Sequence, residues 1–169
     1  IDRRCEEMIS RGLLHEVLGL YRAGLRTDCP AGRAIGYAQS LKLLSALDES
    51  DWSGADGLFQ QFLHEFMSDS RNFARRQDIW FQKEDAFVWL YAGTMTPEQL
   101  ADALTGSREA WLDKEGAMQQ SSLQSRARRY DPEAMKATRV FQSKLVMYGS
   151  EDARGRLLAQ LRADMEGGE

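Results

Sequence analysis

Three arginines, two amides and three aromatics crowd into about three helical turns at Ser70-Arg71-Asn72-Phe73-Ala74-Arg75-Arg76-Gln77-Asp78-Ile79-Trp80-Phe81. Guanidinium groups make forked, charge-assisted bonds to phosphate oxygens, and aromatic faces stack on flat rings. A second concentration of useful side chains stands upstream, at Arg33-Ala34-Ile35-Gly36-Tyr37. Both are binding chemistry. Bond-making chemistry is absent from the spacing: there is no G-x-x-x-x-G-K-[ST] phosphate loop, no H-E-x-x-H and no G-x-S-x-G. His15 and His64 fall on expected helices without metal-ligand companions, and the acidic residues form no pair that reads as an acid/base couple. Cys5 and Cys29 stand alone, so neither a zinc cluster nor a Cys-x-x-Cys motif is expected. From spacing alone the chain carries no catalytic residue and no metal site.

The elements that must position these residues are helices. Ile1, Cys5, Met8 and Ile9 recur at helical spacing, with Arg4 at the edge of that stripe and Arg3 pointing away. Gly12 weakens the helix, and Leu13, Leu14, Val17, Leu18 and Tyr21 resume an apolar face as far as Gly24. Thr27-Asp28-Cys29-Pro30-Ala31-Gly32 is a loop by its Pro and Gly, followed by a short helix carrying Tyr37, Leu41, Leu44 and Leu47 and ending at Asp48-Glu49-Ser50-Asp51. The longest helix is expected from about Ala55 to Gln82. Its seam is Phe59, Phe62, Leu63, Phe66, Ser70, Phe73, Gln77, Trp80 and Phe81. Ser70 and Gln77 are polar members of that stripe, so a buried Gln77 would have to bond across the core or face a ligand cleft. Arg71, Arg75, Asp78 and Gln82 form a second ridge, with Arg76 on the opposite flank.

Ala86-Phe87-Val88-Trp89-Leu90-Tyr91 reads as one buried strand, too short for a core helix. A lone strand needs a sheet, and no partner strand is evident, which argues for more protein ahead of Ile1. The chain also opens on Ile1 rather than Met, already in helical pattern, as a truncated gene model or an excised fragment would. Thr96-Pro97-Glu98-Gln99 and Asp131-Pro132-Glu133 read as helix starts, the latter helix carrying Met135, Phe141, Leu145 and Val146 and able to continue through Met147. Residues 114–131 are polar and read as a solvated helix or linker, and Leu157, Leu158, Leu161 and Met165 mark a last helix. The organisation expected is one unit over 1–94 and a helical extension of unknown role, partly flexible, over 95–169.

The 169 residues are enough for a real core, and the net charge of −4 gives no overall attraction to nucleic acid. Any RNA binding must come from a local basic face. No apolar run reaches the roughly 18–20 residues of a membrane span, and no signal peptide is visible.

In order and spacing, residues 1 to about 90 resemble the closing helical part of the tRNA dimethylallyltransferase (tRNA isopentenyltransferase) family. The resemblance is carried by Ile1-Asp2-x-Arg4, then Gly12-Leu13-x-x-Glu16-Val17-x-x-Leu20, then Arg33-Ala34-Ile35-Gly36-Tyr37. Ser70-Arg71-Asn72-Phe73-Ala74-Arg75-Arg76-Gln77-x-x-Trp80-Phe81 and a terminal apolar strand complete it. It implies a mainly α chain, the helical C-terminal portion of a P-loop-type α/β transferase, with one short strand near 86–91. That family moves a dimethylallyl group from dimethylallyl diphosphate to the exocyclic amine of the adenosine following the anticodon. Its phosphate loop and general base belong to an N-terminal part not found in these residues, and Mg2+ is expected for the parent enzyme with no site here. Arg4 then matches a diphosphate-binding arginine. Arg33, Gly36, Tyr37 and Gln39 match one tRNA-contacting segment, where Gly36 would permit close backbone approach and Tyr37 would stack or pack. Arg71, Arg75, Arg76 and Gln77 match a second, with Arg75 and Arg76 on the stem backbone. Trp80 and Phe81 read as core rather than as stacking platforms. Ala38, Asp78 and Gln82 depart from the family pattern, each lowering local positive potential. Residues 95–169 resemble nothing named.

Each of these residues also has a structural reading. Arg4 could be a flank residue in a surface pair, and Ile35 and Tyr37 could be core at a loop-to-helix junction. Arg126, Arg128, Arg129, Lys136, Arg139 and Lys144 could be a solvated face. Two other functions stand beside the first: an adenylate-type isopentenyltransferase, and a non-catalytic helical RNA-binding module. The partners expected are a tRNA anticodon stem-loop and dimethylallyl diphosphate, with no membrane, for a monomer in the cytoplasm or an organelle (mitochondrion or plastid).

Overall fold

A computed structural model describes residues 1–84, 96–98, 101, 105 and 144–167. Every regular element among them is helical: α1 (Asp2–Ser10), α2 (Leu13–Arg22), α3 (Tyr37–Glu49), α4 (Ala55–Lys83) and α5 (Glu151–Glu166). The mainly α expectation holds. The strand expected at 86–91, the polar stretch 114–131 and the helix from Asp131 lie outside the described residues, apart from the tail of that helix at 144–147. The chain groups into two compact units, Ile1–Arg76 with Ser143–Glu169, and Gln77–Gln142. The first unit thus draws on both ends of the sequence. Among the described residues no helix is long and apolar enough to cross a membrane.

Gly12 does more than weaken a helix. It sits at φ +103, in the left-handed region that favours glycine, and turns the chain from α1 into α2. The two helices then close on each other and on α3 and α4 through Ile9, Leu14, Val17, Leu44, Leu47, Phe59, Leu63 and Phe66, all fully buried. These positions follow the 3.6-residue period read from the sequence.

On α4 the seam is correct to Phe66, with Met67 joining it, and its later members Phe73, Gln77 and Trp80 are exposed. Phe59, Phe62, Leu63, Phe66 and Met67 are buried, whereas Phe73 is 45% exposed and Trp80 54% exposed. Gln77 is exposed too, so its amide is not the buried polar group that the stripe implied. The buried part of the stripe is the part that α1 meets within the first unit. Within the first unit, α1 meets α4 through the Cys5 thiol, which donates to Ser70 Oγ at 3.5 Å. Its first helical residue, Asp2, meets Arg71 at 2.7 and 2.8 Å. Burial also pushes the Cys5 thiol pKa up, which keeps it protonated and a poor nucleophile.

The return of residues 144–167 was not visible in the sequence. Glu6 is fully buried on α1, and its carboxylate accepts the backbone N–H groups of Val146, Met147 and Tyr148 at 2.9, 3.0 and 2.9 Å. Those three N–H groups cannot also join an i→i−4 ladder. This is why helix does not continue through Leu145–Met147, contrary to the sequence expectation. Arg154, 8% exposed, bonds the carbonyls of Tyr148 and Gly149, each at 3.1 Å, and pairs with Asp56 at the start of α4. Ser150 caps α5 by accepting Ala153 N–H at 3.3 Å. At the other end of α5, Arg22 bonds the carbonyls of Asp164 and Met165. His15 Nε2 lies 3.1 Å from Asp164 Oδ2, off the line of a good hydrogen bond.

Candidate nucleic-acid interface

The first candidate segment is the approach to α3. Arg33 is exposed, but its guanidinium is turned back on its own loop: Nε donates to Thr27 O at 3.0 Å and Nη2 to Asp28 O at 2.9 Å. It closes the Pro30-containing loop that the sequence placed at 27–32. Arg26, which sequence reading passed over, lies 4.2 Å from the Tyr21 ring centroid and bonds the Tyr21 and Leu25 carbonyls at 2.7 and 2.8 Å. Two guanidinium planes therefore stiffen this loop while staying at the surface.

Gly36 is buried, at φ +94, and a Cβ there would stand 3.3 Å from the Phe66 ring of α4. Backbone conformation and packing on α4 thus both favour glycine here. Tyr37 is half-buried, and its hydroxyl donates to Glu16 Oε1 on α2, which raises the tyrosine pKa. Gln39, buried, accepts Gly36 N–H on Oε1 at 2.7 Å and donates from Nε2 to Asp69 Oδ2 at 2.6 Å. The Gly-x-x-Gln spacing is half of a capping box, with Gln at the third helical position reaching back to the cap N–H. That signal was present in the sequence and could have assigned Gln39.

The second segment lies on α4. Arg71 is held by Asp2, with both side chains mostly buried at 25% and 12% exposure, and so ties α4 to α1. Arg75 is half-buried and donates to Asn72 Oδ1 at 2.9 Å. Arg76 is exposed and has no ion pair or hydrogen bond among the described residues. Gln77 is exposed as well, and Trp80 meets Phe81 edge-on with ring centroids 4.9 Å apart. With Trp80 open to solvent, it is not the core residue that the seam implied.

Arg4 is exposed and unpaired among the described residues. On a helix of about 100° per residue, it stands roughly opposite Asp2 and faces away from the side of α1 that meets α4. The first unit thus joins Arg71 to α1 and Gln39 to α4, but does not bring Arg4 to the α4 arginines. Among the described residues no group of three or more His, Cys, Asp and Glu side chains is placed to hold a metal ion.

These two segments fall inside a single family match. The family model described as IPP transferase matches residues 1–84. The tRNA dimethylallyltransferase of Mycolicibacterium paratuberculosis (strain ATCC BAA-968 / K-10) is 39% identical over 111 residues, 66% of this chain and 32% of that relative. That of Protochlamydia amoebophila (strain UWE25) is 35% identical over 104 residues, 62% of this chain and 28% of the relative. The tRNA dimethylallyltransferase 9 of Arabidopsis thaliana is 41% identical over 95 residues, 54% of this chain and 20% of the relative. The matched stretch spans a third or less of each of these relatives. No solved structure matches the chain. The helices that carry Gly36, Gln39, Arg71 and Arg75 are therefore those of a known lineage: residues 1–84 of this chain belong to the IPP transferase family.

Proposed function

We propose that this chain supplies the tRNA-facing helical part of a tRNA dimethylallyltransferase. The observation that carries the reading is that one family match, over residues 1–84, takes in both the Arg33–Gln39 turn and the arginine row of α4. In the reaction, N6 of the adenosine attacks C1 of dimethylallyl diphosphate. The C–O bond to the diphosphate breaks, and the amine proton passes to a base. The leaving diphosphate needs cationic partners, and the adenosine must be held out of its loop. The base and the phosphate loop are not among these 169 residues. Mg2+ is expected for the parent enzyme, where it would be held largely by diphosphate oxygens and one or two carboxylates.

What this chain's own residues do is bind and orient. Arg76 meets the stem backbone and Arg75 stands beside it; Arg4 offers a guanidinium to an anion carried by the rest of the enzyme. Arg71 and Arg33 hold the platform rigid, since their guanidinium groups bond Asp2 and the 27–28 carbonyls. The relatives' names favour tRNA over free adenylate as acceptor.

The test pairs this chain with the N-terminal portion of the mycobacterial relative and supplies dimethylallyl diphosphate with either an anticodon stem-loop or AMP. Prenylation of the stem-loop, and none by either part alone, is the expected result. Prenylation of AMP in preference would replace the reading by the adenylate type. A direct binding measurement should show stem-loop affinity falling as salt rises. Arg76→Ala should lower both the affinity and the steepness of that fall, by about one phosphate contact.

A further inference from the structure

The turn ahead of Tyr37 is held more firmly than a helix start requires. Gln39 is only 8% exposed, and both ends of its amide are engaged. An amide can turn over without changing shape, so its direction must be set by a neighbour. Asp69 Oδ2 is that neighbour. A carboxylate only accepts, so it holds the NH2 end of Gln39 at 2.6 Å and leaves the carbonyl end for Gly36 N–H. On the other side, Ser40 Oγ donates to Gly36 O at 2.7 Å, and the Phe66 ring fills the space where a Cβ would stand. Two of the three groups, Asp69 and Phe66, come from α4.

Asp69 also lies within two turns of Arg71, Arg75 and Arg76 on the same helix. Its charge works against phosphate binding there, and the arginine row gains nothing from it electrostatically. Its bond to Gln39 links the two segments that the proposed function assigns to RNA.

We propose that Asp69 is a positioning residue for tRNA recognition. By setting the direction of the Gln39 amide, it locks the Gly36–Tyr37 turn at a fixed register to the α4 arginines, without touching the RNA itself. This rests on the reading that both segments meet tRNA, and it assigns roles within them.

Three variants of the full chain test it: Asp69→Ala, Gln39→Glu, and Gln39→Glu with Asp69→Asn. Two readouts are used, the hydrogen exchange of the Gly36 amide by NMR and the affinity for an anticodon stem-loop RNA. Asp69→Ala removes a negative charge, so electrostatics alone predicts tighter RNA binding. Positioning predicts the reverse, weaker binding by about three- to tenfold with faster Gly36 exchange. Gln39→Glu sets two carboxylates against each other and should disturb both readouts more. Adding Asp69→Asn to it should restore both. The amide then carried on α4 can donate to the carboxylate introduced on α3, and that carboxylate still accepts Gly36 N–H. Unchanged Gly36 exchange in Asp69→Ala, tighter RNA binding by it, or no rescue in the double variant overturns the inference. Failure of the unsubstituted chain to bind the stem-loop overturns the proposed function and this role with it. Binding by the unsubstituted chain with an indifferent Asp69→Ala overturns this role alone.

Discussion

Tyr37 shows how a residue that looks ready for an outside ligand can be engaged inside the chain. Its hydroxyl donates to Glu16, and that bond, reinforced by desolvation and the carboxylate charge, lifts the phenol pKa above its ordinary value. The bond is fully present below the ordinary tyrosine value, about 10, and is lost only as pH rises through the raised one. An ultraviolet titration should therefore find Tyr37 ionising late, together with Tyr148, which burial and the Glu6 charge also push up, and Glu16→Gln should bring Tyr37 alone back toward the ordinary value. A Tyr37 that titrates normally in the unsubstituted chain would mean the bond does not persist in solution. Gly36 is the other residue whose identity follows from its surroundings. Alanine there meets both a positive φ and the Phe66 ring at 3.3 Å. Gly36→Ala should cost about 1–2 kcal/mol from the backbone alone, read by denaturant unfolding, and a neutral result would contradict the close packing on α4.

Among the elements, α4 is one helix with two environments. Its 29 residues keep an apolar period from Phe59 onward, yet the residues buried on it end at Met67, and Phe73 and Trp80 are exposed. Two phenylalanines of the same stripe make the comparison direct. Phe66→Ala should cost about 3–5 kcal/mol, because Phe66 is buried against Phe62 and beneath Gly36. Phe73→Ala should change stability by about 0.5 kcal/mol or less, since Phe73 is 45% exposed. Equal losses at the two positions would show that the stripe is covered along its whole length. Periodicity alone could not tell the two apart, because it records which face is apolar and not what meets it.

Across the molecule, the first unit is closed by two buried charges from distant parts of the sequence. Glu6 collects three N–H groups from 146–148, and Arg154 collects the next two carbonyls and the Asp56 carboxylate. Removing Glu6 leaves three backbone donors short of their partner, one of them at the buried Tyr148. Glu6→Ala should therefore destabilise the chain by about 3 kcal/mol or more, by denaturant unfolding. Deleting 144–169 should expose the Glu6 carboxylate and lower stability likewise. Arg154 holds the Asp56 pKa below its ordinary value, chiefly by hydrogen bonding, with Gln60 adding to it. A carboxyl depressed in the folded state contributes stability that is present above its unfolded value, about 3.9, and lost as pH falls through the folded one. Glu65, depressed by Gln61 and Lys42, adds to the same acid limb. Stability should fall on acidification below about pH 4, and Asp56→Asn should flatten that fall. An unaltered acid limb in that variant would remove Asp56 from the account.

Local pattern along the chain was enough to read the helices, the α4 span to within a residue of Ala55–Lys83, the buried faces of α2 and α3, and the family through its ordered motifs; on α1 it found Cys5 and Ile9, whereas Ile1 and Met8 of the same stripe are exposed. All of these depend on residues a few positions apart, where helical period, caps and turn residues act. Packing in three dimensions was needed to show that Gln39 answers to Asp69, that Arg71 is held by Asp2, and that Arg33 faces its own loop. It also revealed that Glu6 draws the far end of the chain home and that the α4 stripe loses its cover past Ser70. Apart from the Arg33 loop, those outcomes join residues 30, 69 and 140 or more positions apart, and they depend on which surfaces meet once the helices have packed. A glutamate at position 6 looks like any solvated helix residue until three backbone N–H groups arrive beside it.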